Sequence, residues 1–391
     1  MPISAKVKGF MSSGSWIRRM FEQGLELRTK HGADNVFDFT LGNPEMDPPE
    51  PFVRKLRELC NNPVPGMHLY MPNPGYGWAR DKVAAALAAD TGVALEGRHV
   101  IMTTGAACAL NIALKALLDP GDEVLVMAPY FVEYLFYVDN HGGVVKLVDT
   151  DEHFLPKLDA IEQAIGPKTK AIILNSPNNP TGAVYPRSLL QSLADLLETA
   201  GRRIGHPIYV LSDEPYRKIY YGEKPVSALS VFRNCLYSTS HSKDLAVPGE
   251  RIGAAAVHPD ADDGAEIVAA MIFALRTLGF VNAPSLMQHA VAACQDVSVD
   301  VAEYRVKRDM LVQGLTEAGY DCPSPGGAFY VFPKSPIPDD VAFVRLLLEE
   351  RVLGVPGSGF GRAGHFRLAY CVRREVIERA LPGLRRVRSR C

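Results

Sequence analysis

The sequence has little that would tie it to a membrane, a nucleic acid or a disulfide framework. In 391 residues no uninterrupted apolar run approaches the roughly 18 residues of a membrane span. Basic and acidic residues nearly balance, 42 against 44, so no cationic surface for gripping a phosphate backbone is expected. Seven cysteines are scattered without a Cys-x-x-Cys pair, which argues against a disulfide scaffold or zinc site and fits a reducing, cytoplasmic compartment. Missing too are His-Glu-x-x-His, Gly-x-Ser-x-Gly and the Walker Gly-Lys-Ser/Thr, so metallohydrolase, serine-hydrolase and P-loop chemistries lack their residues. No repeat at solenoid spacing and no low-complexity tract is present. What remains is a soluble globular chain, 47% hydrophobic, long enough for two or three domains. Its expected partners are small molecules or another copy of itself, with no metal, nucleic acid or membrane.

The first 21 residues hold Lys, Arg and Ser but no acid, a composition shared with transit peptides. Phe10, Trp16, Ile17, Met20, Phe21 and Leu25 suit better an amphipathic helix that runs directly into the next segment. NVFDFTLGNPE then reads as a short strand closed by a turn at Gly42, where the backbone is open to close approach. Tyr70 sits in a Pro/Gly-rich loop before a helix that carries Val83 and Leu87 on one face and has Gly92 past its end.

From residue 100 the pattern becomes strand, turn, helix, repeated. HVIMTTG, DEVLVMAP, VVKLVDT, AIILNSP, IYVLSDEPY, NCLYSTS and RIGAAAVHP are seven apolar segments, with helical stretches between several of them. Buried strands alternating with helices predict a mostly parallel sheet with ligands at the strands' carboxyl ends. Near Val281 the alternation gives way to helices over 284–296 and 300–319, GGAFYVFP, a helix over 340–351, a long loop and a charged C-terminal helix. Gly359-x-Gly361-x-x-Gly364 matches a dinucleotide fingerprint in spelling, but it precedes a strand and is not read as a nucleotide site.

Several strand ends carry chemistry-bearing residues. Gly105, Ala106 and Ala107 open a helix after a strand, a place where free N–H groups favour an anion. Tyr130, Phe131 and Tyr134 follow the next strand, either as core or as a stacking platform. Asn178 and Asn179 enter a Pro-Thr-Gly turn, and Asp213, Glu214 and Tyr216 stand where another strand runs out. Ser238 to Gly253 places hydroxyls before Lys243 and sets Arg251 eight residues after it. A lysine can form a Schiff base with an aldehyde once its amine is neutral, and an arginine grips a phosphate. An aldehyde and a phosphate on one small molecule describe pyridoxal 5'-phosphate.

LGNPE, YMPNPGYGWAR from Tyr70 to Arg80, TTGAA, APYF, NNPTG, SDEPY, SHSK, PGERIG and FGRAGHFRLAY occur in one order. With them the chain, from about Gly42 to Arg367, resembles the class I/II pyridoxal-phosphate-dependent aminotransferases of fold type I, of the aspartate aminotransferase kind. The resemblance implies an α/β fold: a three-layer αβα large domain with a mostly parallel seven-stranded sheet, plus a smaller α+β domain. The division expected is an arm over 1–44, a large domain over 45–283 and a small one over 284–391. It implies transfer of an amino group from an L-amino acid to a 2-oxo acid in ping-pong half-reactions. Lys243 would hold the cofactor as an internal aldimine and serve as the base, Asp213 would meet the pyridinium nitrogen, and Tyr216 and Asn179 the phenolic oxygen. Phe131 would face the ring. Gly105, Ala106, Ala107, Ser240 and Arg251 would cradle the phosphate, joined by Tyr70 from the other subunit of a homodimer. Arg367, with Asn179 and Gly42, would take the substrate α-carboxylate.

Some acid-specific relatives hold the side-chain carboxylate with a lysine where this chain has Ala107, and Arg18 and Arg276 are alternatives. Aspartate, alanine and aromatic donors therefore stay open. The same cofactor chemistry would also serve a carbon-sulfur lyase or a decarboxylase. A ligand-sensing transcriptional regulator is a third reading, for which about forty residues before Gly42 leave little room.

Overall fold

A computed structural model describes residues 3–12 and 16–391, apart from the side chains of 12, 17–19 and 21. Seven strands form one sheet in the spatial order Val100–Thr103, Gly253–Val257, Cys235–Ser240, Tyr209–Asp213, Thr169–Asn175, Glu123–Ala128 and Val144–Asp149. All neighbours are parallel except Gly253–Val257, which runs antiparallel to both strands beside it. The central strands are buried on both faces, which explains their continuous apolar runs, whereas the edge strand Val144–Asp149 is largely exposed or half-buried.

Alternation within those runs decides which layer each side chain joins. Ile101, Val124, Val126, Ala171, Ile173, Leu211, Leu236 and Ala255 point to the layer containing the helices Ala106–Leu117 and Gly264–Thr277. Met102, Leu125, Met127, Ile172, Leu174, Val210, Tyr237 and Ala256 meet the helices Glu50–Asn61, Gly77–Thr91, Arg187–Ile204 and Ser285–Ala292 on the other face. The result is the three-layer αβα arrangement expected. Fully burying one such Leu or Ile stabilises the fold by about 1.5–3 kcal/mol.

A second core joins the chain's two ends. Phe37, Phe39, Tyr304, Leu311, Phe329, Phe343, Leu347, Phe366, Leu368, Ile377 and Leu384 pack together, drawing on the helices Val301–Glu317, Asp340–Glu349 and Arg374–Ser389. Phe37 and Asp38 pair in parallel with Val352 and Leu353, so the N-terminal segment is sewn to the C-terminal one by backbone hydrogen bonds.

The structure departs from the sequence reading in two places. The N-terminal amphipathic segment is two helices, Ala5–Ser12 and Trp16–His31, and Leu25 lies exposed rather than on a buried face. The side chains of Ile17 and Phe21 lie outside the described ones. The long loop after residue 351 contains the strands Val352–Leu353, Val355–Pro356 and Phe366–Ala369. Each is specified by distant partners, such as Tyr330 and Val331 for Ala369 and Leu368, and so has no local pattern. The Gly359–Gly364 segment is a turn before the last of these strands, as expected.

Candidate active site

Register brings the scattered motifs to one edge. Asn175 stands level with Asp213, and Asp213 with Ser238, so the segments beyond these residues leave the sheet side by side. There a cavity of about 430 Å³ is lined by Gly42, Ala106, Ala107, Phe131, Asn179, Asp213, Tyr216, Ser240, Lys243, Arg251 and Arg367, among others. These eleven residues come from the sequence reading. Gly105 adjoins them, since a Cβ on it would lie 2.9 Å from Arg251 Nη2 and 3.4 Å from Ser240 Oγ, and its φ of +99° favours glycine.

Tyr70 is not brought in. It is 94% exposed and does not line the cavity of its own chain. Arg276 is exposed too, against the ring of Phe273 and outside the cavity. The side chain of Arg18 lies outside the described ones.

Lys243, Asp213 and Arg367, which line the cavity, each lack a counterion among the described residues. Lys243 Nζ donates to the backbone oxygen of Gly42 at 2.6 Å and pairs with no acid. Although the residue as a whole is only partly buried, its amine end is enclosed. That burial, helped by the charges of Arg367 and Arg251, lowers its pKa to about 8 against an opposing push from Cys371.

Asp213 is buried and accepts only hydroxyls, from Tyr134 at 2.6 Å and Ser238 at 3.3 Å. Burial raises its pKa to about 6, with Tyr134 and Ser238 pulling the other way and the neighbouring Glu214 adding to the rise. Asn175 fixes the backbone of this residue, donating to the Asp213 carbonyl at 2.8 Å.

Arg367 is 2% exposed. Its Nη1 donates to Asn179 Oδ1 at 2.9 Å and its Nη2 to the backbone oxygen of Thr40, while its Nε–H has no partner. The rings of Tyr330 and Phe360 both lie against the guanidinium, with centroids at 4.7 and 4.6 Å. A buried guanidinium with an unused donor is a site for an anion, because leaving it unpaired costs free energy.

Tyr216 shares a 2.9 Å hydrogen bond with Tyr330, and burial raises its phenol well above the ordinary value. Ser240 caps the short helix His241–Asp244 and lies 2.7 Å from Ser242 Oγ. The helix Ala106–Leu117 opens with no side-chain cap, leaving its first N–H groups facing this corner. Arg251, exposed at its rim, donates to the carbonyls of Pro248 and Thr104.

Sequence reasoning missed Tyr330, which supports both Tyr216 and Arg367, and gave no role to Glu133 or to the contact of Tyr134 with Asp213. APYFVEY carries a usable signal, with three aromatics and one acid directly after a strand end. Tyr330 has none, because its contacts to 216 and 367 are made only in three dimensions.

The family described as aminotransferase class I and II matches residues 34–384. The aspartate/prephenate aminotransferase of Thermus thermophilus is 36% identical over 381 residues, covering 94% of each chain. Among solved structures, an aminotransferase from Eubacterium rectale superposes with a TM-score of 0.96 at 38% identity, covering 100% of this chain and 99% of that one. The aspartate aminotransferase of Thermus thermophilus with maleate superposes at 0.87 and 32% identity, covering 99% and 100%.

Proposed function

This chain belongs to the class I and II aminotransferases, and from that premise we propose how its own residues divide the work of a pyridoxal-phosphate-dependent enzyme of the EC 2.6.1 group. Amino acids and 2-oxo acids are its substrates. When bound, pyridoxal phosphate supplies an aldehyde that takes up the substrate amino group and a ring that draws electrons from the substrate Cα. The cavity suits such a group: an amine for the aldehyde, a buried carboxylate without a cation for the ring nitrogen, and an uncapped helix start with Arg251 for the phosphate.

In this reading Lys243 holds the aldehyde carbon and Asp213 the ring nitrogen. Tyr216 and Asn179 hold the phenolic oxygen, Phe131 covers the ring, and Gly105, Ala106, Ala107, Ser240 and Arg251 hold the phosphate. Arg367 binds the substrate α-carboxylate through its open Nε–H and a second N–H, with Asn179 and Gly42 beside it. Nζ of Lys243, lowered to about 8, is neutral often enough near neutral pH to accept the Cα proton. Pairing Asp213 with a cation would bring its pKa back down, and a negative Asp213 in turn keeps that cation protonated.

A homodimer is part of the proposal. Leu69, Tyr70 and Trp78 are exposed large apolar side chains, and Tyr70 of the partner subunit would complete the phosphate cradle. Among the described residues no helix is long and apolar enough to cross a membrane. With all seven cysteines unpaired, we place the protein in the cytoplasm. The division into 1–44, 45–283 and 284–391 is likewise a proposal, with one qualification from packing. The helix Ser285–Ala292 lies on the large unit through Met287, Ala290 and Val291.

The observation that carries this reading is the meeting of an uncompensated amine, carboxylate and guanidinium in one cavity. Mixing the yellow holoprotein with an amino donor should convert its aldehyde absorbance to the amine form, and a 2-oxo acid should restore it. Lys243→Ala should keep the fold and lose both half-reactions by about 10³-fold or more. Near-normal rates in that variant contradict the assignment.

A further inference from the structure

One charged group in the cavity has no part in holding the cofactor or the α-carboxylate. Glu133 opens the helix Glu133–Asn140 and lines the same cavity as Arg367, and its Oε2 is buried with no hydrogen-bond partner. No lysine or arginine forms an ion pair with it among the described residues. Burial holds its carboxyl above the usual range, against the smaller pulls of its own backbone N–H and of the Arg367 charge. An acid in a first helical turn is favoured by the helix dipole, but an acid turned to solvent would gain as much without burying an oxygen.

Among the described residues of this chain, the cations lining the cavity are Lys243, Arg251 and Arg367. In a transaminating site all three are taken by the cofactor and the α-carboxylate. Among the described residues of this chain, a second carboxylate would find no cation left in the cavity and would meet Glu133 instead. Like charges held together at low dielectric repel strongly, and an unpaired acceptor welcomes a donor. We propose that Glu133 is a specificity residue that turns away amino and oxo acids with a side-chain carboxylate and accepts side chains that are neutral, donate a hydrogen bond or carry a positive charge.

This rests on the transamination reading and departs from the relatives named for aspartate and prephenate. The test compares half-reaction kcat/KM of the holoenzyme for aspartate and glutamate with that for alanine, phenylalanine and ornithine, in the natural protein and in Glu133→Gln. The natural protein should favour the second group by about tenfold or more, and Glu133→Gln should shift the ratio toward the dicarboxylic donors by a similar factor. Preference for aspartate or glutamate in the natural protein, or an unmoved ratio in the variant, overturns the proposal while leaving transamination standing. Calorimetric titration of the natural protein with succinate and with butyrate decides the matter if the variant does not fold or no donor reacts. Butyrate binding at least as tightly supports the proposal, and tighter succinate overturns it. Absence of turnover with every donor counts against the transamination reading itself.

Discussion

Two neighbouring groups of charges, on adjacent residues of the same two segments, are treated in opposite ways. Glu214 accepts from Ser212, Ser227, the Ala228 amide and Arg217 at 2.7 to 3.0 Å, and Arg217 also reaches Asp90. Asp244 is held by His241 and Lys218, both at 3.2 Å. One residue away, Asp213 has only hydroxyls and Lys243 only a carbonyl. Pairing builds the wall behind the site, and its interruption makes the site. A buried charge left open is unfavourable in the isolated fold, and a ligand that supplies the missing partner removes the penalty.

The contrast can be broken most sharply with two arginines. Arg217→Ala strips the buried Glu214 of its cation and should lower stability by about 3–5 kcal/mol in chemical denaturation. Arg367→Ala removes a guanidinium that no acid neutralises. Its stability loss should be clearly smaller, while KM for the amino donor rises about a hundredfold or more. Equal destabilisation by the two would erase the distinction.

A smaller effect tests the carboxylates. Asp213, near 6 in the folded protein against an ordinary 3.8, binds more protons folded than unfolded between those values. The cofactor-free protein should therefore lose stability as pH rises from about 4 to 6, on the order of 2–3 kcal/mol from this group, and Asp213→Asn should abolish that slope. Asp244 has the opposite sign. Burial pushes it up, but His241 and Lys218 outweigh that and hold it below the usual range, so its contribution is lost as pH falls. Melting curves across pH for the natural protein, Asp213→Asn and Asp244→Asn separate the two.

Much of the fold and the site was legible in the chain. The central sheet strands announce themselves because strands buried on both faces need unbroken apolar runs, as AIILN and YVLSD show. Cavity-lining residues at the strand ends are a consequence of the parallel topology, and the motif resemblance gave eleven of them. What escaped was set by distance in sequence. Val355–Pro356 exists because it pairs with Phe366 and Arg367, and two residues carry no periodicity. The helix Glu50–Asn61, with Phe52 and Leu59 buried, starts inside a proline-rich stretch that hides its onset. Glu133 reads as an ordinary acid at a helix start until the fold sets it in the cavity that Arg367 also lines.

The most direct measurement is reduction of the holoprotein with borohydride, with the modified residue then located by peptide mapping. The pyridoxyl group should be found on Lys243, immediately after Ser242 in its peptide, and addition of amino donor before the reductant should prevent the labelling. A label on any other lysine, or none on a protein that still transaminates, contradicts the account.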